Sequence, residues 1–181
     1  MSAPRQPDPA KLVVGCFMKD KALLDHLYPR LEKLCGPVDI ISPWLGFDYT
    51  DYYYKEMGAP LFRKVFAFKK LIEQKDLAAI KEKTNAIETA FSEDARRRVN
   101  IDPGYLLSSR FVLATGKDYS HRIYIGRNLY ADLTLMYTKK SGFVTLDWSY
   151  PDYASPAMID YLSKVRDKYL LDLKAFKGKK E

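Results

Sequence analysis

Residues 96–126 read RRRVNIDPGYLLSSRFVLATGKDYSHRIYIG, and the fold turns on how this stretch is read. Before it, Leu77, Ile80, Thr84, Ile87 and Phe91 step by three and four, the spacing of one helical face. Within it the pattern changes to short apolar runs separated by turn residues. Asp102-Pro103-Gly104 reads as a rigid turn, because proline fixes φ, glycine tolerates positive φ and an aspartate can bond the turn's own backbone. Residues 110–115 and 122–125 then read as strands.

Working outward, residues 129–138 alternate: Leu129, Ala131, Leu133, Leu135 and Tyr137 fall on one side, and Tyr130, Asp132, Thr134 and Met136 on the other. Ser141-Gly142 predicts a hairpin turn into residues 143–148. Ser155 and Pro156 predict the start of a last helix. Towards the N-terminus, residues 11–18 (KLVVGCFM) read as a buried strand. A leucine-rich helix follows, capped by Asp20, divided or kinked by Pro29 and ended by Gly36-Pro37. Residues 38–42 and 61–69 predict two further strands, with an aromatic, acidic loop at 44–58 between them, and Asp76 is the expected cap of the second helix.

The order strand, helix, strand, strand, helix, strand predicts an α+β domain. It begins as a ferredoxin-like split βαβ unit and is extended by an antiparallel β-meander, with helices packed mainly on one sheet face. Three prolines without apolar periodicity make residues 1–10 an expected disordered segment. Residues 11–174 form the expected single domain and 175–181 a basic tail.

Charge narrows the function classes. The chain carries a net +7, but residues 161–181 contribute +4 of it, with seven Lys or Arg against three acids. A nucleic-acid groove concentrates its excess along one face of the fold, so this distribution favours other partners. Two lone cysteines and two histidines exclude the usual zinc ligand sets. Neither a Walker A nor a GxGxxG sequence is present, and no GxSxG elbow. No apolar run reaches the roughly 20 residues of a membrane span, and the sequence reads as cytoplasmic.

The candidate chemistry lies in the opening stretch. Asp102 and His121 are the catalytic candidates: Asp102 as a carboxylate held on a turn near arginines, His121 as the better placed of two imidazoles for proton transfer at neutral pH. Arg98 and Arg122 are the expected anion clamp, helped by Lys117. Asn100, Tyr105, Asp51 and Tyr53 complete the expected ligand-binding set. The plain structural counterparts are a turn, a solvated arginine edge, a surface histidine and a polar loop. Trp148 to Tyr153 (WSYPDY) reads as a plug at a sheet edge rather than a stacking platform. Asp132 must be paired or functional if its side of the sheet is covered.

Several of these residues also carry a resemblance. Phe47 to Tyr53 with Met57-Gly58, Arg98 to Leu106, His121 to Tyr124, and Trp148 with Tyr150 to Tyr153 resemble a small prokaryotic domain family of unknown function, marked by the string Asn-Ile-Asp-Pro-Gly-Tyr. The resemblance runs from Lys11 onward and implies no reaction and no cofactor. The expectation is an enzyme or binding protein for a small anionic ligand, phosphorylated or nucleotide-like. The alternatives are an RNA-binding module and a non-catalytic interaction subunit.

Overall fold

The computed structural model describes residues 3–178. In chain order the elements are β1 (Ala10–Met18), α1 (Leu23–Cys35), β2 (Val38–Ile41), β3 (Leu45–Phe47), α2 (Tyr54–Met57), β4 (Leu61–Ile72), α3 (Leu77–Ala90), β5 (Val99–Leu106), β6 (Arg110–Thr115), β7 (Arg122–Tyr124), β8 (Tyr130–Thr138), β9 (Gly142–Thr145) and α4 (Pro156–Gly178). Residues 1 and 2 of the expected N-terminal segment and 179–181 of the expected tail lie outside the described residues.

The strands form one antiparallel sheet in the order β2-β4-β1-β5-β6-β8-β7, with β3 beside β4 and β9 beside β8. All nine residues of β1 are buried, as a near-continuous apolar strand must be when both faces are covered. Leu12, Val14, Cys16 and Met18 pack with Leu27 and Leu31 of α1 and Ile80 and Ile87 of α3. Val13, Val65 and Ala67 pack the other way, against Tyr161, Leu162, Val165 and Tyr169 of α4. The expectation of helices mainly on one face therefore gives way to helices on both. The apolar stripe of α4 is long enough to need a sheet face of its own. Buried Lys11 ties the layers together, pairing with Asp39 on β2 and Asp172 on α4.

Three local expectations change. α1 runs unbroken through Pro29, which lies on its exposed side, where the carbonyl left without a donor is open to water. Asp20 and Asp76 make no cap bond to the helices after them; Asp20 instead accepts from the Ala22 N–H at 2.9 Å. The clean alternation of β8 is interrupted by a bulge: Phe111 pairs with Leu135 but Val112 with Leu133. Leu135 consequently joins the α4 side while Ala131 and Leu133 pack on the other, and Asp132 turns inward, 1% exposed.

The largest correction concerns Asp102-Pro103-Gly104, which lies inside β5 and is not a turn. All of β5 pairs with β1, but β6 pairs only with Gly104 to Leu106, so Pro103, with no N–H to give, marks the point where β5 and β6 part. A Cβ at Gly104 would come within 2.5 Å of the Val112 carbonyl oxygen, so glycine is what lets β6 approach there. Beyond that point α3 supplies the missing partners of β5. Glu88 accepts the Ile101 N–H at 2.7 Å, and Lys81 donates to the Ile101 carbonyl at 2.6 Å.

Candidate functional site

The parting of β5 from β6 opens a cavity of about 610 Å³ on the α4 side of the sheet, beyond the start of that helix. Its floor comes from strand residues of one parity: Phe17 of β1, Arg63 of β4, Asn100 and Asp102 of β5. Its walls are the loop after β3 (Tyr49, Tyr52, Tyr53), the loop after β6 (Gly116, Lys117, Tyr119) and the segment before α4 (Tyr150 to Tyr153). Lys81, Asn85 and Glu88 reach in from α3.

Arg63 anchors the floor. Its guanidinium is buried among the rings of Phe17, Phe47 and Tyr153, at 5.3, 4.8 and 4.8 Å from their centroids. It meets Asp152 at 2.7 Å and Asp102 at 3.6 Å. The Asp152 contact is close but poorly aligned, and the Tyr153 hydroxyl, which interacts with the Arg63 guanidinium, likewise makes no well-directed hydrogen bond among the described residues. Gly15 makes room for that hydroxyl, which would stand 2.9 Å from a Cβ at this position. Burial raises the pKa of Asp152, with Arg63 opposing the rise. Burial likewise raises the pKa of Glu88 against the pull of Lys81, and that of the Tyr53 phenol.

A second arginine orders one wall. Arg97 forks onto Glu56 of α2 with two bonds of 2.8 Å, and its NH1 donates to Asn100 Oδ1 at 3.0 Å. These bonds hold the Glu56 carboxyl below its usual range. The Asn100 Nδ2 has no hydrogen-bond partner among the described residues. Asp102 is likewise open: its nearest cations are Arg63 at 3.6 Å and Lys81 at 3.9 Å, both longer than a good hydrogen bond.

The expected site residues divide. Asp102, Asn100, Tyr53 and Lys117 meet in the cavity, with the Lys117 ammonium 4.6 Å from the Tyr52 ring. Arg98 does not: it pairs with Glu93 and Asp20 and lines a separate, open hollow with His26 and Arg30. It precedes β5, so the parity that would have turned it inward does not apply, and Arg97 takes its place. Tyr105 has the opposite parity to Asp102 and packs into the apolar clusters. Asp51 is exposed and outside the cavity, where its neighbours' rings have taken the inner positions.

Arg122 and His121 stand behind the wall. Buried Arg122 donates from Nε to Asp132 at 2.8 Å, from NH1 to the Lys117 carbonyl at 3.0 Å and from NH2 to the Tyr150 hydroxyl at 2.8 Å. Its donors are thus committed to shaping the loop over the cavity. His121 stacks on Trp148 at 4.9 Å with its Nε2 3.4 Å from Asp132 Oδ2, and it does not line the cavity. Trp148 Nε1 and Ser149 Oγ bond the carbonyls of Leu133 and Thr134, closing the gap between β7 and β9 along β8. Trp148 and Ser149 thus plug the sheet edge, whereas Tyr150 to Tyr153 of the same segment line the cavity. Among the described residues no cluster of three or more metal-ligating side chains occurs.

Sequence reasoning missed Arg63, Lys81, Glu88, Asp152 and Tyr153. For Arg63 a signal existed: it is the one charge among Leu61, Val65 and Ala67 on the buried face of β4. A family model described as a domain of unknown function, DUF4416, matches residues 8–169. The chain belongs to this family. Its match covers every element that lines the cavity. No curated protein and no solved structure matches the chain.

Proposed function

We propose that this member of the family binds a small anionic molecule, phosphorylated or nucleotide-like, in the cavity between β5 and β6. The observation that carries the reading is a pair of polar groups gathered in one cleft: Asn100 Nδ2, which has no hydrogen-bond partner among the described residues, and the open carboxylate of Asp102. Buried polar groups are rarely left unpaired, because each costs about 1–3 kcal/mol. A ligand that pairs with them recovers that cost. Tyrosine rings on the walls suit a flat or weakly polar ligand face. Lys117 is exposed at the rim and forms no ion pair among the described residues, so it is a cation placed to meet a phosphate or carboxylate.

In this reading Asp102 contacts the ligand directly, and His121 acts through Asp132 and Trp148 as a shaping residue. Helices cover both faces of the sheet, which favours a small molecule over RNA, whose usual stacking mode needs an open sheet face. The strand order β2-β4-β1-β5, with α1 and α3 on one side, supports reading the first half as a ferredoxin-like unit. Two buried free cysteines, with Cys16 pushed up to about 12 by burial, fit a cytoplasmic setting. Among the described residues no helix is long and apolar enough to cross a membrane.

Thermal unfolding against sugar phosphates, nucleotides and a short RNA tests the reading. A ligand at 100 times its dissociation constant adds about 2.7 kcal/mol, and each kcal/mol raises the midpoint of a domain this size by about 2–4 °C. The expected result is a shift with a small anion that shrinks in Lys117→Ala. A shift with RNA alone that fades as salt rises would replace this reading with the nucleic-acid one.

A further inference from the structure

The orientation of one amide points to what the ligand looks like. A guanidinium has donors and no acceptor, so Arg97 NH1 compels Asn100 to turn its oxygen toward it, at 3.0 Å. Arg97 is itself held by Glu56, through both side-chain oxygens and the backbone N–H. The amide therefore cannot flip without losing a charge-assisted bond. Its Nδ2 is left as a fixed donor with no acceptor among the described residues, on a residue 4% exposed. Two residues along the same face of β5, about 7 Å away along the strand, Asp102 presents oxygens that can only accept when ionised. Among the described residues they accept no hydrogen bond, and the nearest cations stand at 3.6 and 3.9 Å.

We propose, building on the small-anion reading above, that this floor selects a ligand carrying an acceptor and a donor on one polar edge. Asn100 gives to the acceptor, Asp102 takes from the donor, and Arg97 is the positioning residue that fixes the order. A vicinal diol and a lactam edge share this chemistry. A bare aromatic anion lacks it.

The cavity's overall charge gives no rival account of such a preference. Arg63 faces Asp152 and Asp102, Lys81 faces Glu88 and Asp102, and Arg97 faces Glu56 and Glu88. The cations of the floor are matched by carboxylates, so selectivity rests on the hydrogen-bond pattern.

The test uses the full chain and three probes: ribose 5-phosphate, which has the diol; inosine 5′-monophosphate, which adds a lactam edge; and phenyl phosphate, which has neither. Calorimetric titration is expected to show at least one of the first two binding roughly tenfold or more tighter than phenyl phosphate, the worth of one good hydrogen bond. Binding of inosine 5′-monophosphate alone assigns the lactam; equal binding of both assigns the diol. Equal affinity for all three overturns the inference and leaves the small-anion reading standing. No binding by any of them overturns both.

Asp102→Asn separates pattern from charge. Removing a negative charge strengthens binding of an anion held by charge alone, whereas the inference expects about a tenfold loss. Arg97→Lys keeps the charge but releases the amide. It is expected to erode the preference over phenyl phosphate, where a purely structural residue would weaken all probes alike. An unliganded midpoint near that of the parent confirms that each variant is folded.

Discussion

Glu88 occupies an unusual position for a carboxylate: 6% exposed, accepting a backbone N–H and standing 3.5 Å from Lys81. Burial raises its pKa, so the folded state favours the protonated form more than the unfolded chain does. The stability tied to this group is present below its unfolded pKa and is lost as pH rises through its folded one. Glu88→Gln keeps an acceptor for Ile101 and removes the titration. Chemical unfolding from about pH 4, near the unperturbed carboxyl value, towards neutrality is expected to show the parent losing stability relative to this variant. Parallel profiles would contradict the role given to burial. Asp152 shifts in the same direction for the same cause, while Glu56 shifts oppositely because Arg97 holds its charged form. At this scale the sequence was half legible. Asn100 and Asp102 stood out because charged and amide residues cluster in the 96–126 stretch, and Tyr53 because it belongs to the aromatic, acidic loop at 44–58. Arg63 and Asp152 did not, since 89 positions separate them and only the register of β4 and the segment before α4 bring them to 2.7 Å.

Among the elements, β5 is the one whose misreading mattered most. Its Asp-Pro-Gly string carries turn chemistry, and in isolation it would turn. Pairing with β1 along all eight residues overrides that local preference, and the string instead ends the β5–β6 ladder. Gly104 is needed for closeness: a Cβ would stand 2.5 Å from the Val112 carbonyl and 2.9 Å from Leu113 Cδ2. Gly104→Ala is expected to destabilise the fold by about 1–3 kcal/mol, the usual cost of overpacking, measured by urea unfolding. Gly116→Ala, where an added Cβ meets nothing within 4 Å, is the control and is expected to change little. Equal effects from the two would remove the argument for close approach. The apolar strand β1 and the periodic α3 were readable because one pattern determined each. The bulge in β8 was not, because a single extra residue shifts the faces without altering the local sequence signal.

In the whole molecule, the two helical layers and the antiparallel sheet leave one deep interruption, where β5 and β6 part and α3 fills in behind. The fold class could be read from element order, but α4's place on the second face could not. That choice depends on which sheet face is still bare once α1 and α3 have packed. The cavity follows from this arrangement, and it brings together residues from β1, β4, β5, the loop after β3 and the segment before α4. The most direct measurement is a ¹H–¹⁵N correlation spectrum of the protein titrated with ribose 5-phosphate and, separately, inosine 5′-monophosphate. The account predicts that amide signals of Asn100, Asp102, Tyr52, Tyr53 and Lys117 move together, while those of His26, Arg30 and Arg98 stay in place. Movement confined to the Arg98 hollow, or none at all, would contradict it.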